Sequence, residues 1–268
     1  MIAYQPSFYI LSGGLFVDYK QILKVILDIG EQMINSGAEI NRVEDSMYRL
    51  CRSYGFIKVN CWVISSNIQA TVETPDGDIF TQIRHVPGGE MNFDRLDYLN
   101  ALSRKVCRQT PDAPELRRRL DEVLARPVQP KWVHYLAGVL GGTGFAFFFN
   151  CNLADSSVAV IASLIIVALG DALGKIENNP LIFNAIISFI VEIFILMSVK
   201  LGLGDHAGNI TVGVVMLLIS GIGFTNGIIN LLHRDTLSGL INISKALLGA
   251  TGIAIGIALP ILIMKGVM

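Results

Sequence analysis

LIFNAIISFIVEIFILMSV, from Leu181 to Val199, carries one charge, Glu192, in an otherwise apolar run. A helix needs about 20 mostly apolar residues to cross the hydrocarbon of a bilayer. Working outward, comparable runs occur at Trp132–Phe149, Ser156–Leu173, Ile210–Leu232 and Leu240–Met264, so the reading predicts about five transmembrane helices. Residues 1–131 are of another kind and hold 32 of the 43 Asp, Glu, Lys and Arg residues. The expected fold is therefore an N-terminal α/β cytosolic domain followed by an all-α polytopic membrane domain. Its divisions are an extension at 1–17, a soluble domain at 18–127 and a membrane domain at 128–268.

Mean hydropathy is +0.54 and 52% of residues are hydrophobic, high for a soluble chain of 268 residues. Residues 1–131 hold 16 basic and 16 acidic side chains, a balanced surface without the basic stripe that nucleic acid requires. Cys51, Cys61, Cys107 and Cys151 show neither CxxC nor metal-ligand spacing, so no metal, cofactor or disulfide framework is expected. Met1 to Leu15 lacks a basic n-region and a long apolar core, and does not read as a cleaved signal peptide. Arg117, Arg118, Arg119, Arg126 and Lys131 precede the first span, whereas Asn150–Asp155 after it has no basic residue. With Lys175 and His233–Arg234 outweighing Lys200 and Lys265, the N-terminus is expected inside a plasma (inner) membrane and the C-terminus outside. An odd number of spans lacks the paired repeats on which many transporters are built. A second copy or another chain would then supply the rest.

In the soluble part, Ile22, Val25, Ile29 and Met33 recur at helical spacing until Ser36-Gly37. Ile40, Val43, Met47, Leu50 and Tyr54 form a second apolar face, with Asn41 and Glu44 spaced as a capping box and Arg42 and Asp45 as an i, i+3 pair. Ile57, Val59, Cys61 and Val63 then alternate with polar residues or Trp62, and Ile68, Ala70 and Val72 repeat the period of two. Pro75-Asp76-Gly77 is turn chemistry ahead of a strand near Ile79–Val86. Helices are predicted at Phe93–Arg108 and Glu115–Leu124.

The run Ser36-Gly37-Ala38-Glu39-Ile40-Asn41-Arg42-Val43-Glu44-Asp45 resembles the threonine/serine exporter family. The likeness continues at Ile64-Ser65-Ser66-Asn67, and again from Gly227 through Asn230 to Asp235, Ser238, Gly239 and Leu240. More specifically, the chain looks like the split form of that family, one chain carrying the cytosolic domain and about half the spans. The family's Pro-Gly-x-Pro break in the fourth span is replaced by Ser220-Gly221-Ile222-Gly223, so a proline-broken helix does not carry over, although glycines can still loosen one. The resemblance implies ion-gradient-driven export of a small hydrophilic metabolite. Threonine and serine go with the fused members, succinate with a split pair completed by a small membrane partner.

A charge at the bilayer centre costs roughly 2.5–3.5 kcal/mol, so the polar residues inside the spans are candidates for the pathway. Asn184, Ser188 and Glu192 fall at intervals of four on one stripe, with Glu192 either binding a coupling proton or paired within a helix interface. Asn226 and Asn230, with Arg234 and Asp235 beyond them, either meet substrate or tie helices together. Ser238, Asn242, Lys245, Gly249, Gly252 and Gly256 form a single stripe, polar and then bare glycine, that must face protein or water.

The favoured reading is a non-enzymatic exporter subunit whose partners are lipid, a small-molecule substrate, a second membrane subunit and, as a further option, copies of itself. The alternatives place a hydrolase or a metabolite sensor in the cytosolic domain. Glu39, Asn41, Arg42, Glu44, Asp45, Ser65, Ser66 and Asn67 are its motif residues, and no nucleophile or nucleotide signature surrounds them.

Overall fold

A computed structural model describes residues 9–10, 16–89, 91–127, 129–174, 176–177, 179–233 and 235–265. The chain divides into two compact units, Met1–Val128 with Asn230–Ser238, and Gln129–Ile229 with Gly239–Met268.

In the first unit a short antiparallel ladder, β1 (Tyr9–Ile10) and β2 (Phe16–Val17), leads into α1 (Tyr19–Asn35) and α2 (Ile40–Ser53). The meander β3 (Lys58–Ile64), β4 (Asn67–Glu73) and β5 (Ile79–His85) follows, then α3 (Phe93–Gln109) and α4 (Ala113–Leu124). The three strands pair antiparallel in chain order, so each lies beside its sequence neighbour. Their period of two is real: Val63, Ile68, Ala70 and Val72 are buried against the helices, while Trp62 and Ile83 stand exposed on the opposite face. The predicted α2 face is also real, with Ile40, Val43, Met47 and Leu50 buried. Together with Ile22, Leu23, Ile26, Ile29 and Met33 of α1, these residues make one core.

Two local expectations in this unit are corrected. The N-cap of α2 is Glu39, which makes no side-chain cap bond, so Asn41 lies inside the first turn and no capping box forms. Glu44 instead accepts the Val63 N–H at 2.9 Å. The physical reason is that β3 is an edge strand, and an outward N–H there must find a partner from outside the sheet. Asp45 pairs with Arg49 at 2.8 Å rather than with Arg42, because an acid placed before its base at i, i+4 is the more favourable order on a helix.

The second unit is helical: α5 (Lys131–Phe148), α6 (Leu153–Leu173), α7 (Pro180–Lys200), α8 (Ala207–Val215), α9 (Gly221–Leu232) and α10 (Thr236–Lys265), the last two also supplying Asn230–Ser238 to the first unit. Three of these, α6, α7 and α10, are long and apolar enough to cross a membrane. The predicted span at Ile210–Leu232 is not one helix. It breaks at Met216–Ser220 into the 9-residue α8 and the 12-residue α9, each too short to span alone. The break needs no proline, and Gly221 and Gly223 border it. The predicted span at Trp132–Phe149 is helical as α5, but Lys131, His134, Tyr135 and four glycines dilute it.

Small residues bring these helices together. A Cβ at Gly213 of α8 would sit 2.7 Å from the Ala146 Cα of α5, and one at Gly256 of α10 would sit 2.5 Å from the Ala185 carbonyl of α7. Without a hydrophobic drive between helices in lipid, backbone approach of this kind is what holds them.

Candidate functional site

On α7 the predicted stripe faces inward. Asn184, Ser188 and Glu192 are all buried, Glu192 with 2% of its surface exposed. Asn184 Nδ2 donates to the Gly249 carbonyl of α10 at 3.1 Å. Ser188 Oγ has no hydrogen-bond partner among the described residues. Glu192 Oε2 lies 2.8 Å from Thr211 Oγ1 on α8.

Thr211 Oγ1 also lies 2.9 Å from the Ala207 carbonyl, one turn back. A hydroxyl has one proton and cannot donate to both oxygens at once. Both contacts are satisfied together only when Glu192 carries a proton and donates it to Thr211. When Glu192 is ionised, Thr211 must turn its proton from Ala207 to the carboxylate. The pair therefore has a distinct hydrogen-bond arrangement for each protonation state.

The glycine half of the α10 stripe packs on α7: a Cβ at Gly249 would lie 3.0 Å from Asn184 Nδ2, and Gly256 approaches the backbone of Ala185 and Phe189. Along the polar half, Asn242 is half-buried and Lys245 is exposed. Asn226 is half-buried on α9. Asn230 and Ser238 are buried, and Asn230 Oδ1 and Ser238 Oγ lack partners among the described residues. Asp235 has an ordinary structural task, receiving the Ser238 N–H at 3.2 Å in the first turn of α10. Arg234 lies outside the described residues, as does Lys175.

Glu39 and Asn41 are half-buried and Arg42 is exposed at the start of α2. Burial raises the Glu44 carboxyl above its ordinary range; the Val63 N–H opposes this and the charge of Asp235 adds to it. Glu44 and Asp235 belong to the two stretches that carry the family resemblance, and the fold gathers both into the first unit. Ser65 and Ser66 make the two-residue turn between Ile64 and Asn67, and the Ser65 Oγ is buried without a partner among the described residues. A cleft of about 490 Å³ elsewhere in this unit is lined by Asp18, Gln21, Lys24, Asp112 and Arg117, none of them predicted.

The sequence reading also missed a polar knot in the second unit. Asp155, in the first turn of α6 and fully buried, accepts the backbone N–H groups of Asp205 at 2.7 Å and His206 at 3.0 Å on Oδ1. Its Oδ2 meets His206 Nδ1 at 2.9 Å. Asn152 caps α6 in a reciprocal box with Asp155, and its Nδ2 also donates to Asp205 at 2.6 Å. The N-x-x-D spacing of Asn152 and Asp155 signals the cap. Nothing local signals a partner 51 residues away.

A family model for threonine/serine exporters matches residues 24–264. No curated protein and no solved structure matches the chain.

Proposed function

Because the chain belongs to the threonine/serine exporter family, we propose that it is one subunit of an ion-gradient-driven secondary exporter of a small hydrophilic metabolite. The family and the long apolar helices put the protein in a membrane. The cargo is an amino acid of the threonine/serine type or a dicarboxylate such as succinate. Residues 18–127 lie in the cytosol, 128–268 form the membrane domain with the C-terminus outside, and a second small membrane subunit completes the transporter.

The observation that carries this reading is the buried Glu192–Thr211 pair. It joins a continuous helix, α7, to a broken one, α8–α9, and its hydrogen bonds differ with protonation. Irregular backbone at membrane depth occurs where it is buried in protein or lines a cavity, and ionisable groups there mark ion paths. Glu192 carries the coupling proton, and Ser188, Asn184, Asn226, Asn242 and Lys245 border the path.

The test is efflux of labelled threonine, serine and succinate from preloaded cells, with the chain alone and with a candidate small membrane subunit. Efflux of one cargo only with both chains is expected. Glu192→Gln should flatten its pH dependence, and an unchanged profile would remove Glu192 from the coupling role. The charged cleft beside α1 and α4 supports a second role, metabolite sensing by the cytosolic domain. Saturable binding without turnover, lost in Lys24→Gln, is the expected result.

A further inference from the structure

Asp155 and His206 stand at the starts of α6 and α8, which meet at the end of the bundle remote from Lys131. A buried carboxylate needs compensation by hydrogen bonds or an opposite charge. Here Asp205 and His206 supply N–H groups to one oxygen, and the imidazole, with Asn152's N–H, supplies the other. For His206 Nδ1 to donate to a carboxylate, the neutral ring must carry its proton on that nitrogen, leaving Nε2 as acceptor. The His206 side chain is 58% exposed while that of Asp155 is wholly covered. The ring therefore spans from solvent to a buried anion. On taking a second proton it becomes a cation against that anion without any loss of the existing bond.

The other titratable groups around this knot are Asp205, which receives the Asn152 amide, and the buried Cys151, which feels the Asp155 charge. Histidine ordinarily changes charge between pH 5 and 8, where proton gradients operate. His206 is also the residue from which α8 departs: its carbonyl accepts the Asn209 and Ile210 N–H groups. One turn on, Thr211 holds Glu192. The helix between them is 9 residues long and ends at the break, so one short element carries both contacts.

We propose that His206, seated on Asp155, is a second proton-binding site of the exporter, on its outer side, and that α8 couples its occupancy to Glu192. This rests on the exporter reading above for its part in transport, but the site and its link to Glu192 are properties of the chain itself. A proton shifts an equilibrium only by its differential affinity for the two states. Coupling through α8 is reciprocal, so each site must sense the other.

The experiment uses the full-length chain in lipid nanodiscs with labelled histidine, and follows the ring signals by NMR across pH. His206→Asn assigns the His206 signal; asparagine can still cap α8 and donate to Asp155 but cannot titrate. The expected result is a His206 midpoint that moves in Glu192→Gln by about 0.7 pH unit or more, roughly fivefold in proton affinity. In cells, His206→Asn should alter the pH profile of efflux. A His206 ring that does not titrate, or a midpoint indifferent to Glu192→Gln, overturns the proposal. So does an unaltered efflux profile in His206→Asn. If the wild type exports none of the cargoes, the exporter reading fails, and the titration alone decides whether the coupled site exists.

Discussion

Gly256→Ala adds one methyl group at the seam between α10 and α7. The new Cβ would lie 2.5 Å from the Ala185 carbonyl oxygen, 2.7 Å from Ser188 Cβ and 3.0 Å from the Phe189 nitrogen. Carbon atoms attract at about 3.5–4.0 Å, so the Ser188 contact alone is short by about 0.8 Å. Two of the three obstacles are backbone atoms, which cannot rotate aside, so the helices must separate. Overpacking of this kind costs about 1–3 kcal/mol. Alanine recovers about 1 kcal/mol over glycine in a helix. With backbone in the way the upper part of the range applies, leaving a net loss of about 1–2 kcal/mol. For a chain of this size that lowers Tm by roughly 3–6 °C. Gly144 is the control, because a Cβ there meets nothing within 4 Å. Gly144→Ala should be neutral or gain up to about 1 kcal/mol. The assay is thermal unfolding of the purified full-length variants in one detergent. A Gly256→Ala protein that melts at or above wild type would refute the seam.

Two further predictions concern the first unit. Burial, with the Asp235 charge and against the Val63 N–H, keeps the Glu44 proton bound more tightly in the folded chain than in the unfolded one. Stability is therefore lost as pH rises from the ordinary carboxylate range through this raised value, and the loss persists above it. Glu44→Gln should be closest to wild type near pH 4 and gain on it toward pH 7 in unfolding experiments; a constant difference would reject the burial effect. The Cys51 thiol donates to Cys61, which lowers the Cys61 proton affinity against its own burial and raises that of Cys51. Maleimide followed by peptide mass spectrometry should find Cys61 labelled well before Cys51, since the thiolate is the nucleophile. Equal rates would sink that assignment.

The helices whose character depends on near neighbours were legible in the residues alone. The apolar runs that became α6, α7 and α10 announce themselves because lipid solvation acts residue by residue. The faces of α1 and α2 are written at i, i+3 and i+4, and the alternation of β3 and β4 at i, i+2. Asn184, Ser188 and Glu192 could be placed on one stripe for the same reason. The family resemblance, confirmed over residues 24–264, added what periodicity cannot, a class of function. Tertiary structure alone decided the partners. Glu192 meets Thr211 across 19 positions, Asn184 meets Gly249 across 65, and Asp155 meets His206 across 51. It likewise moved Glu44 from a local cap to the open edge of β3 and opened the apolar run at Met216–Ser220 into two helices. In each case the local pattern allowed more than one outcome. Which polar group is satisfied by which depends on what the packed chain brings within about 3 Å, and no spacing along the sequence carries that information.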